Sequence, residues 1–84
     1  MIERFLNKHH QVSVWPAKDV GRIIVLNYLI EKFEPNTNYS ETQVNQILKQ
    51  WHTFEDWALL RRELFDRGYF EREPDGTRYR RTSS

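Results

Sequence analysis

Arginine residues near the C-terminal end are the side chains in this sequence that are best suited to bind a ligand. Guanidinium groups form bidentate hydrogen bonds with phosphate and carboxylate oxygens. The arginines in question are Arg67, Arg72, Arg78, Arg80 and Arg81. Acidic residues at 71, 73 and 75 lie among them, so two interpretations remain open. The segment either contacts the phosphates or minor groove of a duplex, or forms cross-strand ion pairs on a solvated ribbon.

Two further arginines, Arg61 and Arg62, fall within a predicted helix. At 100° per residue, Arg61 lies within about 40° of Trp57, at the margin of an apolar face, whereas Arg62 points well away. A guanidinium group at that margin needs an acidic partner to offset its desolvation. We expect Glu41 to be this partner and interpret the pair as structural.

Residues suited to catalysis or metal binding are sparse. The chain has three histidines and no cysteine. His9 and His10 are neighbours, and neither they nor His52 have carboxylates at the spacing of a metal site. The sequence contains no recognisable pair of nucleophile and base, and its three glycines are scattered. We therefore expect a binding module that is not an enzyme and that uses no metal, cofactor or small-molecule substrate.

The length of the chain limits its architecture to one core. It has 84 residues, of which 38% are hydrophobic, and a net charge of +1. We expect one domain over residues 1–81 and a disordered tail at 82–84. The balanced charge does not by itself indicate a nucleic-acid or membrane partner. No apolar stretch approaches the ~20 residues that span a bilayer, and the lack of cysteine favours the cytoplasm.

Hydrophobic periodicity and capping residues predict three helices. The first runs from residue 17 to about 33 and is apolar on more than one side. The second begins with a capping box formed by Ser40 and Gln43. Its apolar positions follow at helical spacing: Val44, Ile47, Leu48 and Trp51. The third is predicted to begin at the cap Thr53, with acidic residues in its first turn, and to end at Gly68.

A β-hairpin is predicted after the third helix, because a turn containing proline and glycine separates two strand-like segments. Its register stays open. Turn chemistry favours Glu73 opposite Thr77, whereas side-chain pairing favours Phe70 opposite Tyr79. Residues 11–16 alternate polar and apolar side chains and end at a proline, which predicts a short edge strand able to join the hairpin.

The predicted order of elements is that of a winged helix-turn-helix domain of the α+β class. Its motifs also resemble a known family over roughly residues 5 to 81. The residues that carry the resemblance are Tyr39-Ser40-Glu41, Val44-Asn45, His52-Thr53-Phe54, the run 56–64 (Asp-Trp-Ala-Leu-Leu-Arg-Arg-Glu-Leu), Gly68, Arg72, Gly76 and Tyr79. They resemble the bacterial domain-of-unknown-function family 2087. That resemblance implies a small winged-helix-like domain, sometimes fused behind regulators of the ArsR type, and it implies no functional residues. Gln43 departs from the Glu expected there, but glutamine serves a capping box equally well.

Two functions are compatible with these features. In helix-turn-helix proteins the helix after the tight turn enters the major groove. Here its outward face carries more acids than bases, which repels phosphates, so duplex contact would fall to the arginine-rich wing. The residues of that face are Glu55, Asp56, Leu59, Arg62, Glu63, Asp66 and Arg67. The alternative is a protein-interaction module, for example a homodimer, that covers surplus apolar surface of the first helix without binding DNA.

Overall fold

The computed structural model describes residues 1–75 and 77–82. Its helices are α1 (Asp19–Ile30), α2 (Glu41–Trp51) and α3 (Trp57–Asp66). Its strands are β1 (Asn38–Tyr39), β2 (Phe70–Arg72) and β3 (Tyr79–Arg81). A short 3-10 helix, Ile2–Phe5, precedes them. The order α1-β1-α2-α3-β2-β3 is that of a winged helix, so the predicted fold class is confirmed. The predicted turn glycine, Gly76, and the tail residues Ser83 and Ser84 lie outside the described residues.

The start of α2 follows its sequence signature. The Ser40 hydroxyl accepts from the Gln43 N–H at 3.1 Å, and the Gln43 side-chain oxygen accepts from the Ser40 N–H at 2.8 Å. This reciprocal pair satisfies two donors that the first turn of a helix leaves without partners. The predicted capping box is confirmed.

The start of α3 differs from the prediction. Asp56, not Thr53, is the N-cap, and its carboxylate accepts from the Leu59 N–H at 3.2 Å. The preceding residue, Glu55, has a φ of 53°, a left-handed conformation that a helical first turn cannot contain. The turn between α2 and α3 is therefore longer than expected, and neither acid lies inside the helix. The far end agrees with the prediction, since Gly68 takes a φ of 84° just beyond α3.

The N-terminal segment pairs with the turn between α2 and α3, not with the sheet. Val12 is fully buried and forms isolated bridges with Leu6 and His52. Its N–H donates to the Trp51 carbonyl at 2.8 Å, and its carbonyl accepts from the Thr53 N–H at 3.0 Å. The predicted edge strand over residues 11–16 is thus wrong. Val12 forms isolated bridges with Leu6 and His52, and neither partner belongs to a strand.

The third strand of the sheet is instead β1, which lies between α1 and α2, where no strand was predicted. The strand order is β1-β3-β2, with Asn38 opposite Arg80 and Tyr39 opposite Tyr79. The Tyr39 ring lies edge-on to Phe33, with centroids 5.3 Å apart. This aromatic contact anchors a strand that is too short to be recognised by alternation.

The hairpin register differs from both alternatives. Phe70 lies opposite Arg81 and Arg72 opposite Tyr79, and the Glu73 N–H donates to the Arg78 carbonyl at 3.0 Å. Asp75 explains the shift. Its carboxylate accepts from the N–H of Thr77 at 3.0 Å and from the hydroxyl of Thr77 at 2.7 Å. Because the Thr77 N–H is already bonded, Thr77 does not pair with Glu73 and the loop is longer.

The core joins all three helices to the inner face of the sheet. The Phe70 ring lies 5.0 Å from Phe33 and 5.7 Å from Tyr79, in edge-to-face contacts. The fully buried helical residues are Val25, Leu26, Leu29, Val44, Leu48, Leu60 and Leu64. Among the described residues, no helix is long and apolar enough to cross a membrane.

Candidate nucleic-acid interface

The face of the hairpin that points away from the core carries two exposed arginines, Arg78 and Arg80. We call the face formed by Asn38, Glu71, Glu73, Arg78 and Arg80 the outer wing face. Arg80 lies 3.4 Å from the Glu71 carboxylate, and both side chains are about half exposed. Ion pairs this exposed contribute little and exchange readily for other partners. Within residues 1–75 and 77–82, Arg78 has no ion pair.

Arg72 is held by aromatic rings and not by carboxylates. Its guanidinium carbon lies 4.2 Å from the centroid of the Phe65 ring and 6.0 Å from that of Tyr79. A guanidinium group stacked on a ring keeps its N–H donors at the edge of the plane, available for other acceptors. Arg72 lies between two surface grooves, one on the outer wing face and one toward α3.

Arg67 and Arg81, which the sequence grouped with the wing, connect elements of the domain. Arg67 donates to Asp19 at 2.7 Å and to Glu63 at 2.7 Å, which ties the end of α3 to the start of α1. Arg81 donates to the Phe33 carbonyl at 3.1 Å and lies 3.4 Å from Glu31. Their donors are directed to these internal acceptors, which leaves Arg72, Arg78 and Arg80 as the candidates for a wing contact.

The contact between Arg67 and Asp19 also alters protonation. The hydrogen bond from Arg67 stabilises the ionised carboxylate and lowers the pKa of Asp19 below its usual value. The same bond, together with that to Glu63, raises the pKa of Arg67. Asp75, at the hairpin turn, has its pKa lowered by its hydrogen bonds to Thr77.

Arg61 lies between α2 and α3, near the acid that its sequence position suggested. Its Nη2 atom is 3.8 Å from a Glu41 oxygen, while its Nη1 atom donates to the Asn45 side-chain oxygen at 2.5 Å. The side chain is only 19% exposed, against 53% for Glu41. Asn45 is thus the closer partner, and sequence reasoning missed it. Asn45 follows Glu41 by four residues and therefore lies on the same face of α2, and this spacing could have identified it as a partner of Arg61.

The outward face of α3 is less acidic in effect than its composition suggests. Glu63 is paired with Arg67, and the Asp56 carboxylate caps the helix, where the helix dipole favours negative charge. Arg62 and Asp66 are the exposed charges on the helix itself. A major groove that met this face would therefore contact one exposed arginine, Arg62, together with the exposed carboxylate of Asp66.

His52 has a structural environment. It is 5% exposed, and its Nε2 atom accepts from the Asp56 N–H at 3.0 Å. An accepting Nε2 requires the proton on Nδ1, which donates to the Leu48 carbonyl at 2.5 Å. Both ring nitrogens therefore form hydrogen bonds to the backbone, and these bonds stabilise the turn before α3. Groups of three or more potential metal ligands do not occur among the described residues.

Three helices, a short strand after the first and a C-terminal hairpin place this chain among proteins with winged-helix-like topology. A family model described as an uncharacterized protein conserved in bacteria (DUF2087) matches residues 11–81, nearly the whole chain. The chain belongs to this family, as its motifs suggested. No curated protein matches the sequence. No solved structure matches it either.

Proposed function

We propose that this domain binds duplex nucleic acid through phosphate contacts of the outer wing face, in a transcription-related role in the cytoplasm. The observation that carries the proposal is the pair of exposed arginines on the hairpin, Arg78 and Arg80. Among the described residues, the only ion pair on the outer wing face is the long, solvent-exposed contact between Arg80 and Glu71. Phosphates compete well for such guanidinium groups, since each contact releases counterions from the duplex.

The expected binding is electrostatic and weakly dependent on sequence. Phosphate contacts position a protein on a duplex, whereas specificity requires side chains that reach base edges. On α3, Arg62 is accompanied by the exposed carboxylate of Asp66, which is a poor arrangement for a major groove. The proposed role is therefore binding and not catalysis, with the wing as the main contact.

Charge reversal at the wing tests this proposal directly. A fluorescent duplex titrated with wild-type protein at low salt should show an affinity that falls steeply as salt rises. The Arg78→Glu/Arg80→Glu double variant should lose most of that affinity and flatten the salt dependence. A suitable control is Lys8→Glu/Lys18→Glu, which changes the net charge equally at exposed positions outside the wing. No duplex affinity in the wild type, or equal losses in both double variants, would contradict the proposal.

A protein-interaction module is the second candidate, favoured by exposed apolar residues on α1. Val20 is 63% exposed and Ile23 is 40% exposed, and a second subunit could cover them. Sedimentation equilibrium distinguishes this role. A dimer that Ile23→Asp dissociates would support it, and a monomer at high protein concentration would contradict a homodimer.

A further inference from the structure

A cleft separates α3 from the hairpin on the side of the domain where α2 begins. It has a volume of about 360 Å³. Its charged lining residues are Glu41, Arg61, Arg62, Asp66 and Arg72. Phe65 and Tyr79 contribute the aromatic part of the wall. Arg78 and Arg80 do not line it, although Arg72 borders both this cleft and the groove on the outer wing face.

We infer that this cleft is a phosphate-binding site, with Arg62 and Arg72 as the binding residues. Neither guanidinium group has a hydrogen bond or ion pair with any residue in 1–75 or 77–82. Both line the same cleft from different elements, Arg62 from α3 and Arg72 from β2. Two guanidinium groups that line one cleft, and that have no protein acceptor among the described residues, match the several oxygens of a phosphate group.

Arg72 is prepared for this role before any ligand arrives. Its guanidinium carbon lies over the Phe65 ring, 4.2 Å from the centroid, and this contact limits the movement of the side chain without using its N–H donors. A binding group that is already oriented loses less conformational entropy on binding. Lysine would keep the charge at this position but would lose both the planar stacking and the paired donors.

Arg61 also lines the cleft and adds positive charge to it. Its bond to Asn45 fixes it between α2 and α3, and its side chain is largely shielded. Three arginines against Glu41 and Asp66 give the cleft a formal charge of +1. The two carboxylates also supply acceptors for hydroxyl or amino groups, so the ligand class that fits is a phosphate ester.

Two sources of phosphate share this chemistry: the backbone of a bound duplex and a free phosphorylated small molecule. The inference goes beyond the proposed function, because the cleft can bind phosphate whether or not the outer wing face binds a duplex. The test therefore begins with inorganic phosphate alone, at constant ionic strength, and adds the duplex afterwards.

The experiment follows the side-chain Nε–H resonances of the arginines by NMR during a phosphate titration of the whole chain. The Arg62 and Arg72 resonances should shift and saturate. Arg62→Gln and Arg72→Lys should each weaken phosphate binding by about tenfold, the usual effect of losing a charge-assisted hydrogen bond. Arg4→Gln, an exposed arginine outside both the cleft and the outer wing face, should bind phosphate like the wild type. Arg62 is exposed and its guanidinium group has no hydrogen bond or ion pair with a described residue, so its variant should keep the fold.

Each outcome of the titration bears on the inference. Unsaturable shifts, or equal phosphate affinity in the wild type and in Arg62→Gln and Arg72→Lys, would overturn it. If a short duplex then displaces phosphate from Arg62 and Arg72, the source is the nucleic-acid backbone. If the duplex binds without displacing phosphate, the source is a free phosphate ester. Saturable phosphate binding without any duplex affinity would overturn the proposed function and leave the phosphate site standing.

Discussion

Gly21 lies where the N-terminal segment crosses α1. A Cβ atom added there would lie 2.7 Å from the Pro16 Cβ and 3.1 Å from the Phe5 ring. The residue is buried and helical, so its role is close packing and not backbone freedom. At the scale of single residues, this contact explains why the poorest helix former apart from proline occupies the first turn of α1.

Replacing Gly21 with alanine should destabilise the protein, although helix propensity alone predicts a gain of about 1 kcal/mol. The added methyl group must displace Pro16 or the Phe5 ring, at a cost typical of overpacking, about 1–3 kcal/mol. Urea unfolding monitored by tryptophan fluorescence measures the net effect. Gln46→Ala, at an exposed position of α2, is the control and should change the free energy of unfolding by less than about 0.5 kcal/mol. A stabilised Gly21→Ala variant would contradict the packing interpretation.

At the scale of elements, α2 and α3 are held together by a polar contact as well as by their apolar faces. Arg61 joins them through Asn45 at 2.5 Å, and Glu41 lies further away at 3.8 Å. Glu41 is more than half exposed, so water screens its interaction with Arg61. The shorter and better shielded contact should dominate the stability of the α2–α3 pair.

Asn45→Ala should therefore cost more stability than Glu41→Ala. We expect about 1–2 kcal/mol for Asn45→Ala, which leaves a shielded donor without its acceptor, and less than about 1 kcal/mol for Glu41→Ala. Chemical denaturation of both variants and of Arg61→Ala checks the order. If Glu41→Ala were the more costly change, the ion pair and not the amide would be the main contact of Arg61.

At the scale of the whole molecule, charged contacts connect parts of the chain that are distant in sequence. Arg67 ties the end of α3 to the start of α1, and Arg81 ties β3 to the segment after α1. These contacts close the domain around its core. The C-terminal arginines thus have two kinds of position. Arg67 and Arg81 connect elements of the domain, whereas Arg72, Arg78 and Arg80 lie on the outer wing face or in the cleft.

The contact between Asp19 and Arg67 should give the stability a dependence on acid pH. Because the pKa of Asp19 is lower in the folded state, its contribution is present above the unfolded pKa of about 4 and is lost as pH falls through the folded value. Arg67 stays charged throughout this range. Thermal unfolding from pH 7 to pH 2 should show the wild type more stable than Asp19→Asn near neutrality, with the difference vanishing in acid. A difference that is constant across pH would contradict this.

Elements with local signals were predictable from the sequence. Ser40 and Gln43 specify the start of α2 through bonds between neighbours, and Gly68 specifies the end of α3. The turn between two strand-like segments predicts the hairpin. The family motifs agree with this reading, and the chain is a DUF2087 member. Local hydrogen bonds and backbone conformations depend on nearby residues, so they can be predicted from spacing.

Contacts between residues that are far apart in the sequence follow from tertiary packing. The third strand at Asn38–Tyr39 exists because Tyr39 packs on Phe33. Arg67 bonds to α1 and not to the wing because Asp19, 48 residues away in the sequence, lies within hydrogen-bond distance. Arg62 and Arg72 share a cleft because the hairpin folds back along α3. Contacts of this kind depend on how the elements pack, and packing is set by the whole core and not by any local pattern.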